Sequence, residues 1–570
     1  MALSILVGFL DGMGLTMFLP LLQMADGKSS ADSESLGNLG FFVEGLNNLG
    51  IDLTLINALV FLLLFFALKG IATYASNVYK IYVRQFFIRT LRLNLIDGFT
   101  KYSFKSFVLS DIGRIQNTLT GEVARVSLAY SSYFSCFQNM ILVVVYMFFA
   151  FMVDWKFALL TSLGGVLTNL IYRTIYKKTK QQSSLLTKST SNFQGLIIQF
   201  IQNFKYLKAT GTLTDYSEKL NTSVKTVESV NTSIGKLDAR ISSSREPLLI
   251  AVICGVIALQ IYVMEGTLGS VLISLLFFYR ALTSLMGIQT NYNTFLGVSG
   301  SLENMTDFEK ELKSNRESNG RKTVGKFEEN IVLKDVGFGY NDDNGILNGV
   351  NLTVNKNQTV AFVGESGSGK TTLVSIISGL MKPNLGQIEI DHVDVQEVDV
   401  NSFQKRIGYI SQDPVIFNDT LFNNVSFWAE DTTANRQLFE KALRQASVFD
   451  FVDSLPEKGD TLLGNNGINL SGGQKQRISI ARELYKNIDI LILDEATSAL
   501  DSENERNIQE NIENLQGEYT ILIIAHRLST VKNADVIYLM DQGTIVDSGN
   551  FGELIDKSYK FKKMVEVQEI

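Results

Sequence analysis

The chain has 570 residues, 46% of them hydrophobic and 19% charged, with a net charge of −7. That length implies two to four domains at roughly 100–200 residues each, and the charged share lies below the ~25% of soluble proteins. The charge balance offers no basic footprint for nucleic acid. The only cysteines, Cys136 and Cys254, both sit in apolar runs, which excludes a disulfide framework and reads as small buried apolar residues.

A membrane span needs about 20 mostly apolar residues, and six stretches qualify. They are Ala2 to Met24, Leu53 to Tyr79, Ser127 to Val153, Phe157 to Tyr176, Pro247 to Met264, and a run from Thr267 past Arg280 towards Phe295. The first has no positive leading region and is too long for the core of a signal peptide, so it reads as a membrane helix. Arg84, Arg89, Arg92, Lys101, Lys105, Arg114 and Arg125 follow the second span, and a lysine-rich segment follows the fourth. Positive residues stay on the cytoplasmic side, so both long segments and both termini are expected there. The two segments lack proline and are rich in helix formers, which predicts helices that extend the spans into the cytosol.

After the first span, Leu36, Leu39, Phe42, Val43, Leu46 and Leu49 recur at helical spacing. That pattern fits a short amphipathic helix on the outer membrane surface, or else a packed loop that caps the bundle. Asp11, Lys69 and Arg280 fall near the middle of predicted spans. A lone charge at that depth is expensive and needs a partner or a water-filled cavity. Two readings stay open: an ion pair of Asp11 with Lys69 or Arg280, and a cationic site in which Lys69 and Arg280 receive an anionic substrate group.

Charge density rises after Ser301. The predicted boundaries are a helical six-span transmembrane domain over 1–302, a polar linker over 303–326, and an α/β domain over 327–570. Gly364-Glu365-Ser366-Gly367-Ser368-Gly369-Lys370-Thr371 fits G-x-x-x-x-G-K-[ST] between an apolar strand and a helical stretch opening at Thr372. Its glycines let backbone N–H groups approach phosphate, Lys370 is expected at the β- and γ-phosphates, and Thr371 at Mg²⁺. Ile490-Leu-Ile-Leu-Asp-Glu495 reads as a strand covered on both faces. Asp494 at its end suits Mg²⁺ through water, and Glu495 suits polarisation of an attacking water.

Leu470-Ser471-Gly472-Gly473-Gln474 resembles the signature motif of ABC transporters. The resemblance implies further roles: Tyr340 stacking on adenine, Gln412 in the Q-loop and near the metal, Asp501 in the D-loop, and His526 as the switch histidine. It also implies that Ser471, Gly472, Gly473 and Gln474 complete the ATP site of an opposite ATPase domain. One phosphate loop and one signature per chain then require two chains, and a homodimer is the simpler expectation. A membrane domain fused ahead of the ATPase resembles exporters, so ATP hydrolysis is expected to drive transport. By the same resemblance, coupling helices fall near Phe104 to Asp111 and near Ala209 to Tyr216.

Local sequence at Leu119-Thr-Gly-Glu-Val123, Phe204-Lys205-Tyr206, Tyr279-Arg280 and Gly364-Glu365-Ser366 is similar to bacterial flippases of lipid-linked oligosaccharides. The similarity implies a lipid-linked glycan substrate and the inner membrane, with the ATPase in the cytoplasm. Alternatives are a general lipid or multidrug exporter and, against the six predicted spans, a non-transport ABC ATPase. Two departures stand out. Such exporters usually carry an elbow helix before the first span, whereas this sequence starts within the apolar run, so the depth of Asp11 depends on where the natural chain begins. The loop before the signature reads Gly464-Asn465-Asn466-Gly467 where many exporters carry a glutamate.

Overall fold

The computed structural model describes residues 2–18, 21, 54–153, 155–264, 268–317, 319–341, 345–494, 509–510, 512–525 and 527–568. The chain divides into two compact units, Met1–Tyr102 with Leu109–Arg316, and Ser103–Val108 with Glu317–Ile570.

The first unit is helical. Its elements are α1 (Ala2–Thr16), α2 (Leu55–Thr100), then, past a short helix α3 (Phe104–Leu109) of which all but Leu109 belongs to the second unit, α4 (Ile112–Asn117) and α5 (Val123–Val153). They are followed by α6 (Trp155–Gln202), α7 (Phe204–Ala209), α8 (Leu213–Met264), α9 (Leu268–Gly297) and α10 (Ser299–Ser314). Helix thus occupies part or all of each predicted apolar stretch among the described residues. Among the described residues, Leu55–Thr100, Ile112–Val153 and Leu213–Ala258 are long and apolar enough to cross a membrane, and Ala2–Thr16 is a shorter apolar helix. The predicted outer amphipathic segment, 36–49, lies outside the described residues.

α2, α6 and α8 do extend well beyond their apolar segments, although α6 and α8 are rich there in Ser and Thr, so packing of long helices rather than propensity sustains them. α8 passes through Pro247 without ending. Proline removes only one ladder bond, which a long packed helix tolerates. Cys136 is buried as expected, but Cys254 is exposed, because it lies on the outward apolar face of α8. The polar stretch read as a linker is helical in its first part: α10 buries Met305, Phe308 and Leu312, spaced three and four apart, against Ile88, Leu95 and Ile115. Arg114 Nη2 meets Glu311 Oε2 at 2.5 Å, and Tyr102 Oη donates to Glu311 Oε1 at 2.6 Å. Burial pushes the Glu311 carboxyl up, but the bonds from Tyr102 and Arg114 and the guanidinium charge outweigh it and hold the group below its usual range.

The second unit has two sheets. One is antiparallel, in the order β2 (Leu347–Asn355), β1 (Asn330–Phe338), β4 (Leu385–Ile390), β5 (Val393–Asp394). The other runs β10 (Thr544–Gly549), β9 (Val536–Asp541), β3 (Thr359–Gly364), β8 (Thr520–Ile524), β7 (Ile490–Asp494), β6 (Ile407–Ile410), parallel except for β10. Its central strands are covered on both faces. Leu491 and Leu493 of β7 pack in one core with Ile521 and Ile523, while Ile490 and Ile492 pack in another with Leu522 and Ile524. Side chains alternate along a strand, so two cores demand an unbroken aliphatic run. Arg406 grips Asp489 with two bonds of 2.7 and 2.8 Å, and Asp489 also accepts from Phe327 N at 2.9 Å. This fixes the entry to β1 beside the parallel sheet.

Candidate nucleotide site and membrane charge cluster

The parallel register gathers the chemistry at one edge. Gly364 pairs with Met540, and Asp494 pairs with Ile524, so β3, β9, β7 and β8 end together. Ligands of open α/β sheets bind at these carboxyl ends. Past β3 the chain turns through the glycine loop into α11 (Lys370–Ile377), capped by Gly369 in the left-handed region at φ 98°. A side chain at Gly369 would meet Leu347 Cδ2 at 2.8 Å, and one at Gly364 would meet Met540 O at 2.3 Å. The cradle therefore admits backbone only.

Lys370 is buried, and its Nζ donates to Gly364 O at 2.8 Å and Glu365 O at 2.9 Å. The ammonium is thus held within its own loop by carbonyls, partners that an anionic phosphate can outcompete. Ser368 Oγ is buried there with no hydrogen-bond partner, an orphaned donor of the kind an incoming oxygen satisfies. Thr371 is exposed beside it at the start of α11. The loop and its residues fit a nucleotide triphosphate, with the helix N-terminus adding its dipole.

Asp494 Oδ2 accepts from Tyr409 Oη at 2.8 Å. Burial, then the Asp494 charge and the hydrogen bond itself, push the Tyr409 hydroxyl far above its usual range, so it stays a donor. Sequence reasoning missed Tyr409; its place on β6, which pairs with β7, was the available signal. Gln412 is exposed in the loop after β6. Tyr340 follows β1, with its ring edge-on to Phe338 at 5.3 Å. Glu495, Asp501 and His526 lie outside the described residues.

Ser471 caps α12 (Gly472–Tyr485) with a capping box: Gln474 N donates to Ser471 Oγ at 3.3 Å, and Ser471 N donates to Gln474 Oε1 at 2.8 Å. Two glycines in the first turn then leave the helix N-terminus bare for an anion. Arg482, further along α12, is buried and donates to Asn424 O, Val415 O and Asn424 Oδ1 at 2.6, 2.7 and 2.9 Å. It ties the signature helix to the segment that follows Gln412, a role the sequence did not announce.

Of the first coupling segment, expected near Phe104 to Asp111, residues Phe104 to Val108 group with this unit, whereas Leu109 to Asp111 group with the helical one. Lys105 of α3 donates to Gly339 O at 2.9 Å and lies 5.2 Å from the Phe338 ring, next to Tyr340. The second was expected at Ala209 to Tyr216. There the short helix is α7, 204–209, followed by a turn with Gly211 at φ 73°, and the segment groups with the helical unit.

In the helical unit Asp11 is buried, with Lys69 Nζ at 2.6 Å and the Tyr146 hydroxyl donating to its other oxygen. Gly12 makes this possible: a side chain there would collide with the Phe149 ring at 2.2 Å, so α1 and α5 meet closely. Arg280 is half-buried within electrostatic reach of Tyr146. Among the described residues its guanidinium has no ion-pair or hydrogen-bond partner.

The two units correspond to two family models, the ABC transporter transmembrane region over residues 1–286 and the ABC transporter domain over residues 347–498. The chain belongs to the ABC transporters and is an exporter half-unit, an ATPase whose hydrolysis is coupled to transport. It is 32% identical over 495 residues to the heterocyst differentiation ATP-binding protein HepA of Nostoc, covering 85% of this chain and 80% of that protein. It is 31% identical over 509 residues to an ATP-dependent lipid A-core flippase of Francisella tularensis, covering 85% and 82%. The fold matches a bacterial Atm1-family ABC exporter with ATP bound, at TM-score 0.79 and 23% identity, over 100% of this chain and 97% of the other.

Proposed function

We propose that this half-unit works as a homodimer in the bacterial inner membrane and uses ATP with Mg²⁺ to flip a lipid-linked oligosaccharide or polysaccharide. The domains are taken as 1–302, 303–326 and 327–570, with the helical part of the middle segment packed on the membrane domain. Lys370 and the backbone of 364–372 hold the phosphates. Thr371, Gln412 and Asp494 hold Mg²⁺, Tyr340 stacks on the base, and Glu495 and His526 act on the attacking water. Ser471, Gly472, Gly473, Gln474 and Asp501 serve the partner chain's nucleotide.

The observation that carries the substrate class is the unequal fate of the two mid-span cations. Lys69 is neutralised by Asp11, whereas Arg280 keeps a charge with no acidic partner among the described residues. An unpaired guanidinium at that depth is costly unless a ligand meets it, and its planar fork matches phosphate. Relatives named as lipid A-core flippases support a lipid substrate.

The test is flipping of a fluorescent lipid-pyrophosphate oligosaccharide in proteoliposomes by the native chain, Arg280→Ala and Glu495→Gln. ATP-dependent flipping by the native chain, lost in both variants, is expected. ATP hydrolysis without any flipping would remove the glycan-lipid substrate and leave an exporter of other cargo.

A further inference from the structure

A cavity of the helical unit lies away from the Asp11 cluster. It encloses about 550 Å³ between the start of α1, the middle of α2 and α5, within the usual range for ligand pockets. Lys80 and Arg84, one helical turn apart on α2, both line it, and among the described residues no carboxylate does. Lys80 donates to the neutral amide of Gln138, and Arg84 Nη1 donates to the Ser131 hydroxyl at 3.4 Å. Arg84 Nε is buried with no hydrogen-bond partner among the described residues. Among the described residues neither cation has an ion pair. Two like charges one turn apart repel, and no acidic side chain among the described residues pairs with either.

The cavity also has a defined depth. At 1.5 Å per residue, Lys80 and Arg84 lie about 16 and 22 Å along α2 from Lys69, towards the end that leads into α3. Half of a hydrocarbon core is about 15 Å. A mid-span Lys69 therefore puts these cations at the level of the lipid headgroups on the ATPase side. The rest of the wall is mixed: Ser76, Asn77 and Ser135 offer hydrogen bonds, while Tyr130 and Phe134, with rings 4.5 Å apart, give an apolar face.

We propose that this cavity binds a phosphate-bearing lipid headgroup from the ATPase-side leaflet, with Lys80 and Arg84 on the phosphate and Gln138 and Ser131 orienting them. The proposal rests on the lipid-transport reading but concerns a separate site, at a different depth from Arg280. The arrangement would let the headgroup be held at its own leaflet before any mid-membrane contact.

Native mass spectrometry of the full chain in detergent, without ATP, measures this apart from transport. The probes are dioleoyl phosphatidic acid, dioleoyl phosphatidylcholine and inorganic pyrophosphate. The native chain should retain phosphatidic acid over phosphatidylcholine. Lys80→Ala with Arg84→Ala should weaken that retention by about tenfold or more, since bonds to charged groups are lost. Lys80→Arg with Arg84→Lys should keep it, and Gln138→Trp, which narrows the cavity beside Lys80 and spares both charges, should weaken it. Pyrophosphate displacing the lipid would assign the affinity to the phosphate alone, and failure to displace it would add the acyl chains; both support the site. Equal retention by the native chain and the double alanine variant, or no preference for phosphatidic acid, would overturn it, whatever the flipping assay returns.

Discussion

The two halves of the chain satisfy their buried charges in opposite ways. Lys370 is held by carbonyls five and six positions away in its own loop. Asp11 is held by Lys69 and Tyr146, 58 and 135 positions away on other helices. The ATPase half builds chemistry from local backbone, which any chain with those glycines can form. The membrane half builds it from distant side chains, which only helix packing can bring together. A local cradle can be read as a motif, whereas a remote pair cannot.

The comparison can be broken at its strongest point first. Glu495→Gln should reduce ATP turnover by about a hundredfold or more, the usual worth of a general base, while ATP-dependent dimerisation persists. Full hydrolysis in that variant would take the water-activating role away from Glu495. On the membrane side, Asp11→Ala leaves Lys69 without its counter-ion and should destabilise the helical unit by about 3–5 kcal/mol. Removing both charges, Asp11→Ala with Lys69→Met, should recover much of that loss in thermal unfolding. Additive losses would mean that the two residues do not act as a pair.

A smaller effect sharpens the local side. Tyr409→Phe removes a donor to Asp494, and hydrogen bonds to charged groups are worth about 1.5–3 kcal/mol. The Mg²⁺ concentration for half-maximal hydrolysis should move by about tenfold, and an unchanged Mg²⁺ profile would leave Tyr409 a packing residue only. The smallest effect concerns pH. Glu311 has its carboxyl held below the ordinary 4.5 in the folded chain, so its bonds to Arg114 and Tyr102 stabilise fully above that value. The contribution is lost as pH falls through 4.5 and below, because the folded group must then take up a proton. Arg114→Ala should flatten the acid limb of the unfolding curve by about 1 kcal/mol or less, as partly exposed pairs do.

Much of the ATPase half was legible because its motifs are constraints of backbone and strand. The aliphatic run 490–493 implied a strand between two cores, and two cores are present. Tyr409 and Arg482 escaped notice because an aromatic or an arginine becomes informative only once its neighbour in space is known. In the helical half the apolar stretches were legible, but the helical nature of 303–314 was masked by its charge, since only Met305, Phe308 and Leu312 face inward.

Composition, hydropathy and the order of motifs thus determined that an apolar helical domain precedes a nucleotide-binding one, because length of apolar run and glycine spacing are properties of the chain itself. Tertiary structure decided which charges are spent on one another. It paired Lys69 with Asp11 and, among the described residues, left Arg280 without an acidic partner and set Lys80 and Arg84 in a cavity that no acid lines. Those outcomes depend on which helix faces meet, and face-to-face packing is fixed by shape across the whole bundle rather than by any one segment.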